Sequence, residues 1–340
     1  MSLSRHRGAT VAAVAAALAL TLAACGGGDS EPDADTLRIG SVGGWLEDHL
    51  EEAGLLEDLP YDVEFVDVAG AGAYGSLSAG QIDVGVWGFD ANGSQSISEG
   101  SSSRIIALIG SDPEADPHRG VINLYTSAES GISSIDDLAG TTIGVNWGEG
   151  TTADVVMHAA LDEAGISPDD LTLNYFSDAS GSTAFLSRQV DGFVTSLNGA
   201  LVEDIQENGT QPIYYANQAS SVAYVIASRD DVIEDESRFD MVSDFVSRIT
   251  EYYDWRGEEA NLDSFTQAVM AEQSTSEDYA TVVAENIGPA VQVLEFSDEN
   301  VGRFQEDLDN LLDWGLVDAP VAAEDLIDDT FADAIVAARD

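Results

Sequence analysis

Lysine is absent from this chain of 340 residues, and all twelve of its basic side chains are arginine. They face 63 aspartates and glutamates, for a formal net charge of −51. A surface so short of cations excludes the classes of protein that hold polyanions through rows of basic side chains, so nucleic acid is not expected as a partner and an anionic lipid surface is a poor one. Cysteine occurs once, at Cys25, which rules out a disulfide within the chain and leaves stability to packing. Histidine is scarce and scattered, with His49, His118 and His158 far apart in sequence. No Cys/His set stands at metal-ligand spacing, and neither His-Glu-x-x-His nor Gly-x-Ser-x-Gly occurs, so nothing calls for a metal, a cofactor or a nucleophilic serine. Beyond the first 24 residues no apolar run is long enough to span a bilayer, and no repeat of solenoid period is present. Disorder is excluded by a 44% hydrophobic content arranged in regular periods. The acidity is read as adaptation to saline surroundings, where repulsion is screened within about 3 Å at molar salt.

What is present begins at the N-terminus. Arg5 and Arg7 precede an apolar core from Ala9 to Leu22, and Leu22-Ala23-Ala24-Cys25 leads into Gly26-Gly27-Gly28. That is the layout of an export signal, too short for a stable membrane span. With a cysteine at the cleavage point it resembles a bacterial lipoprotein signal, which implies that Cys25 is lipidated and becomes the first mature residue. An ordinary signal with a chance cysteine is the plainer alternative, and the uniqueness of Cys25 favours the anchor. Residues 1–24 are thus assigned to the signal and residues 25–35 to a polar, glycine-rich tether. The signal holds two arginines and no acid, which leaves ten cations to all 63 carboxylates.

The remainder alternates strand and helix patterns. Strands are expected at 36–41, 61–68, 82–86, 105–109, 121–126, 142–146, 171–176, 192–195, 211–216 and 222–227. Helices are expected from Trp45, at 151–164 and at 182–188, then almost continuously at 241–256, 262–273, 276–286, 298–314 and 320–336. Strands interleaved with helices predict an α/β protein with parallel-rich sheets covered on both faces.

Three passages carry a family resemblance. They are Leu77-Ser78-Ala79-Gly80-Gln81-Ile82-Asp83-Val84-Gly85, then Ile135-Asp136-Asp137-Leu138-Ala139-Gly140 with Thr142-Ile143-Gly144-Val145, and Arg188-Gln189-Val190-Asp191-Gly192-Phe193. In this order they resemble signatures of type II solute-binding proteins, in the branch serving importers of aliphatic sulfonates, taurine, nitrate and thiamine precursors. Leu311-Leu312-Asp313-Trp314-Gly315 is similar to that branch's closing helices. The resemblance implies the two-lobed type II periplasmic-binding-protein fold, each lobe a mostly parallel sheet with helices on both faces, joined by two hinge crossings. These are expected near 124–127 and 221–225, giving lobe 1 as residues 36–124 and 225–340 and lobe 2 as residues 125–224. It implies a monomeric, membrane-anchored, extracytoplasmic lipoprotein that captures a small sulfonate-, nitrate- or taurine-like anion and hands it to an ABC permease and its ATPase. Binding of a thiamine-type pyrimidine or another nitrogen compound is the alternative ligand reading. An enzyme of the same architecture acting on a small organic acid is the alternative class. A surface adhesin is the third, and the βαβ rhythm speaks against it.

The corner Gly150-Thr151-Thr152 opens a helix, where two hydroxyls and unpaired backbone amides suit an oxyanion; a plain N-cap is the competing reading. Trp87-Gly88 and Asp90 follow a strand end, where open α/β sheets meet ligands. Asp90 would accept from an amine or hydroxyl, and Trp87 would form an apolar wall or pack in the core. Gly44-Trp45 leaves the first strand into the same cleft, and Ser196 and Asn198 match the family's ligand-facing position in lobe 2. Tyr74 begins a further helix. Trp147 lines the cleft or packs beneath it, and His118-Arg119 reads as a surface loop before the hinge. Repulsion at this charge density gives a first test. Calorimetry of the full chain should show Tm rising as sodium chloride goes from about 0.1 M to about 1 M, where the Debye length falls from about 10 Å to about 3 Å. An unchanged Tm would remove the saline reading.

Overall fold

The computed structural model describes residues 35–68, 72–112, 114–177 and 179–339, so the signal, Cys25 and most of the tether lie outside the described residues. Thr36–Val42 (β1) places Leu37 and Ile39 inside, and Trp45–Glu52 (α1) returns Leu46 and Leu50 to the same side. Asp62–Val68 (β2), Ala73–Ser78 (α2), Val84–Gly88 (β3), Ala91–Ser98 (α3) and Ser103–Gly110 (β4) continue the alternation. The chain then enters a second set: Ile122–Thr126 (β5), Thr142–Asn146 (β6), Thr152–Ala164 (α4), Thr172–Phe176 (β7), Ala179–Leu186 (α5), Gly192–Ser196 (β8), Gly199–Asn208 (α6), Gln211–Tyr215 (β9) and Ala216–Ala219 (α7). It returns through Val222–Arg229 (β10), Asp230–Ile233 (α8), Glu236–Gly257 (α9), Leu262–Gln273 (α10), Glu277–Ile287 (α11), Gln292–Leu294 (β11), Asp298–Asp313 (α12), Ala323–Leu326 (α13) and Ala332–Ala337 (α14).

Among the described residues the strands form two sheets, ordered β11-β4-β10-β3-β1-β2 and β7-β6-β8-β5-β9. β1 pairs in parallel with β2 and β3, and β6 with β7 and β8. β5 and β10, the strands by which the chain enters each sheet from the other, run against their neighbours. The two-residue period of β10 splits its side chains between two cores. Ile226 packs with Val242, Phe245 and Ile249 of α9, whereas Val225 and Ala227 pack with Phe304, Leu308 and Leu311 of α12. The first sheet is therefore covered on both faces, as the βαβ rhythm predicts.

Three expectations are corrected. Leu124 lies in the middle of β5 and not at a crossing; the chain passes between sheets at 111–121 and 216–221. Residues 225–340 do not all belong with the first sheet. Phe265, Ala268 and Val269 of α10 and Val283 and Ala284 of α11 share a core with Phe185, Phe193, Leu201 and Val202 of the second. The helix expected over 320–336 is two, because Ile327 bridges to Ile105 of β4 and the Asp328 amide donates to the Ile105 carbonyl at 2.9 Å.

The two crossings lie side by side and α12 holds both. The Ser111 amide donates to the Ser221 carbonyl at 3.0 Å, and a Cβ on Gly110 would stand 1.9 Å from that carbonyl oxygen, so only glycine fits. One turn apart on α12, Arg303 Nη1 donates to the Ser111 carbonyl at 3.0 Å, while the buried Asp307 carboxylate accepts from the Ser221 and Val222 amides. Burial pushes the Asp307 carboxyl up to about 6 against these bonds.

Asp83, in the loop before β3, is fully buried. Arg38 of β1 grips both of its oxygens, through Nε at 3.0 Å and Nη2 at 2.7 Å. Arg238 Nη1 of α9 lies 3.0 Å away and Arg229 Nη1 of β10 lies 3.4 Å away. Burial alone would raise the Asp83 carboxyl, but the hydrogen bonds and charge of Arg38 outweigh it and hold it below the usual range. Asp83→Ala would leave three guanidiniums around an empty site, and should lower unfolding free energy by about 3–5 kcal/mol. Urea melts at fixed salt check this, with Arg119→Ala on the surface expected to stay within about 0.5 kcal/mol. A loss as small as that control would show the cluster to be dispensable.

Candidate functional site

The carboxyl ends of β1 and β3 and those of β6 and β8 face a common cleft of about 690 Å³. One rim is stitched shut between the two sheets. The Ala91 amide donates to the Gly150 carbonyl at 2.9 Å, Asn92 Nδ2 to the Glu149 carbonyl at 3.1 Å, and Thr152 Oγ1 to the Phe89 carbonyl at 2.7 Å. Close approach explains two glycines here: a Cβ on Gly88 would lie 2.2 Å from Thr152 Oγ1, and one on Gly150 2.8 Å from Asn92 Nδ2.

Trp45, Trp87, Gly88, Asp90, Thr151, Thr152, Ser196 and Asn198 all line the cleft, as does Trp147. Gly44, Tyr74 and Gly150 do not. Gly44 is the left-handed residue before α1, and its neighbour Gly43 faces the cleft instead. Tyr74 backs Trp87, ring centroids 4.7 Å apart, and Gly150 belongs to the rim. His118 and Arg119 line a separate cavity of about 320 Å³. Trp147 holds φ at +64°, a conformation disfavoured for a bulky residue, and so presents its ring next to the buried end of β6.

The hydroxyls read as anion donors are already in use. Thr151 Oγ1 donates to the Gly148 carbonyl at 2.7 Å, and Thr152 Oγ1 is the rim bond above. Asp154, buried one turn into α4, accepts from the Gly150 amide at 2.8 Å and from Tyr175 at 2.9 Å, bringing a carboxyl of its own to the helix start. Asn198 caps α6, accepting from the Leu201 amide at 3.1 Å, and Asp90 caps α3, accepting from the Gly93 amide at 2.6 Å. Asp90 is half-buried and lines the cleft. Burial, only partly offset by the single Gly93 bond, pushes its carboxyl up to about 7.

The charge that the sequence did not single out is Arg256, near the end of α9. Eight of the ten arginines in the described residues lie within 4 Å of a carboxylate; Arg256 and Arg303 do not. Arg256 is 6% exposed and lines the cleft. Its guanidinium stands 4.1 Å above the Tyr253 ring, and its Nη2 donates to the Ile287 carbonyl at 3.3 Å. Nearby, buried His49 bonds through Nδ1 to the Tyr252 hydroxyl at 2.7 Å and through Nε2 to Glu272 at 3.2 Å. Five buried side-chain atoms of the described residues have no hydrogen-bond partner, and four of them belong to residues that line this cleft: Trp87 Nε1, Asn146 Oδ1, Tyr253 OH and Arg256 Nε. Sequence could have flagged Arg256 through its scarcity alone, as a lone cation ending the aromatic run Tyr252-Tyr253-Asp254-Trp255. Among the described residues no cluster of His, Cys, Asp and Glu could hold a metal, and no helix is long and apolar enough to cross a membrane.

Residues 117–259 match the family profile described as "NMT1/THI5 like". No curated protein sequence matches the chain. Among solved structures, the alkanesulfonate-binding protein SsuA from Xanthomonas axonopodis pv. citri, bound to MOPS, superimposes with a TM-score of 0.73 at 17% identity, over 87% of this chain and 99% of that one. The periplasmic nitrate-binding protein NrtA from Synechocystis PCC 6803 gives 0.63 at 12% identity, over 90% of this chain and 85% of that one. The desulfurization enzyme DSZB gives 0.59 at 14% identity, over 90% of this chain and 100% of that one. The fold is that of the two-lobed type II periplasmic binding proteins, which bears out the resemblance read from the three short passages.

Asp90 allows a test by pH. Its carboxyl binds a proton more tightly in the folded than in the unfolded chain, so its contribution to stability falls as pH rises from about 4 to about 7. Asp90→Asn keeps the acceptor for Gly93 and removes the charge. The variant should melt with the parent near pH 4 and above it beyond pH 7, by thermal unfolding across pH. Lower stability of the variant at high pH would show the ionised carboxylate to be favourably held.

Proposed function

We propose that this chain is the extracytoplasmic solute-binding lipoprotein of an ABC importer, anchored through Cys25, which captures a small oxyanion of the sulfonate, nitrate or taurine kind and delivers it to a permease driven by an ATPase. The observation that carries the reading is Arg256: a buried guanidinium facing the cleft without a carboxylate, in a chain where carboxylates outnumber cations more than five to one. An unpaired buried charge is costly, and an anionic ligand would offset that cost. The net charge of the chain repels anions at long range in dilute salt. At molar salt that repulsion is screened within about 3 Å, and the local contact decides. The neighbouring Tyr253 hydroxyl offers a second donor.

Capture and release follow from two lobes joined at two adjacent crossings. A ligand touching both shifts an open–closed equilibrium toward the closed form in proportion to its preference for that form. Nothing in this cycle requires catalysis by the chain itself, whose part is to bind and present; the energy comes from the ATPase.

The test is calorimetric titration of the full chain in detergent at about 1 M salt with alkanesulfonates, nitrate and pyrimidines. An oxyanion should bind, and Arg256→Gln should weaken it about 10- to 100-fold, the worth of a charge-assisted hydrogen bond of about 1.5–3 kcal/mol. Arg256→Lys should fall between, keeping the charge and losing the planar fork. Binding of a pyrimidine alone, or indifference of the oxyanion to Arg256→Gln, would overturn the reading.

A further inference from the structure

His118 and Arg119, which the main cleft does not use, line the second cavity, of about 320 Å³. It lies on the second lobe beside both crossings. Gly120 comes from the first crossing and Tyr215 stands just before the second, and between them the Asn217 amide donates to the Arg119 carbonyl at 3.3 Å. α6 contributes Val202 and Ile205, and α11 contributes Val282. Leu197 lines both cavities, so the two adjoin.

Charge sets this cavity apart. The chain carries 63 carboxylates in 340 residues, and Asp67, Asp90 and Glu272 line the main cleft. Among the described residues that line the second cavity none is aspartate or glutamate, while His118 and Arg119 are basic. Arg119 is loosely held. Its Nη1 donates to the Glu285 carbonyl at 3.5 Å, beyond the usual reach of about 2.7–3.2 Å, and its Nε stands 3.9 Å from Asp116, whose side chain is 55% exposed. A guanidinium offers its N–H donors in a planar fork that a carboxylate meets with both oxygens.

Polarity falls from the rim inward. His118 is exposed and the Arg119 side chain is 41% exposed, whereas Leu197, Val202 and Tyr125 are buried. The buried amide of the lining, Asn123, is already spent. Its Nδ2 donates to the Gly120 carbonyl at 3.1 Å and to the Tyr125 hydroxyl at 3.0 Å, and its Oδ1 accepts from the Ala216 amide at 3.3 Å. What the inner wall offers is apolar surface, from Leu197, Val202, Ile205, Pro212 and Val282. A volume of about 320 Å³ stands at the small end of the range, about 300–1,000 Å³, that organic ligands occupy.

We propose that this cavity is a second binding site, for a small carboxylate with an apolar body: the carboxylate at the rim on Arg119 and His118, the body against Leu197, Val202 and Ile205. The site does not rest on the oxyanion reading of the main cleft and is tested apart from it.

Calorimetric titration of the full chain in detergent at about 1 M salt, against a detergent blank, compares benzoate with acetate and with benzylamine, which keeps a ring and reverses the charge. Benzoate should bind, acetate should bind about tenfold or more weakly for want of the apolar body, and benzylamine should give no detectable heat. Arg119→Gln should weaken benzoate about 10- to 100-fold, whereas Arg256→Gln, which disables the main cleft, should still bind it. Ile205→Glu, which sets a carboxylate in the wall, should weaken benzoate at least as much. Thermal unfolding of each variant beside the parent reports that it is folded. Benzoate binding kept in Arg119→Gln and lost in Arg256→Gln would place the acid in the main cleft and overturn the second site. Benzylamine binding as tightly as benzoate, or no binding of benzoate, would overturn it as well.

Discussion

Three guanidiniums converge on one buried carboxylate at Asp83, and the first sheet depends on that convergence. Arg38 comes from β1, Arg229 from β10 and Arg238 from the first turn of α9, so a single side chain ties together two strands and the long helix that covers them. The hydrogen bonds run through the strand frame itself, since the Arg38 amide also donates to Asp83 at 3.0 Å. In a chain with so few cations, three of the ten arginines among the described residues gathered at one point mark where order matters most. The site inherits that order: β1 and β3 deliver Trp45 and Trp87, and α9 delivers Tyr253 and Arg256.

The second constraint is polarity left unanswered. Folded chains bond nearly all their buried donors and acceptors, and among the described residues four of the five side-chain exceptions belong to residues that line one cleft. Scattered orphans would mark poor packing, whereas clustered ones mark a place shaped for something else. The stitched rim at Ala91–Gly150 shields that place on one side. Low solvent access there makes each unmet group more costly when empty and more valuable when filled.

Much of the architecture was legible in sequence because period-two and period-3.6 patterns are local, and glycines such as Gly140 and Gly165 mark where helical turns end. The cleft itself was half legible. Trp87, Asp90 and Asn198 stand at strand ends, where α/β sheets present side chains, and spacing alone finds such positions. What spacing does not show is whether a polar group is already spent. Thr151 and Thr152 look like free donors until their hydroxyls are seen on Gly148 and Phe89 carbonyls, and the Asn198 side-chain oxygen looks free until it is seen capping α6. Arg256 was hidden for the converse reason. Along α9 it is one more helical residue, and only the packing of Phe265 and Ile287 around it shows a charge enclosed without a partner.

One apolar face of the second sheet is closed with the help of α10 and α11, which begin at Leu262 and Glu277, well after the sheet's last strand ends at Tyr215, and reach it only after the chain has gone back through the first sheet. That wiring sets an order of assembly. While the chain is still being made, residues 122–215 can pair their strands, but the core around Phe185 and Phe193 stays incomplete until Phe265 and Val283 arrive. Contacts of such long sequence separation form late, because loop closure must precede the packing that rewards it. The two lobes therefore mature together, and a nascent chain halted near residue 250 would carry a partly uncovered aromatic surface, a mark for proteases.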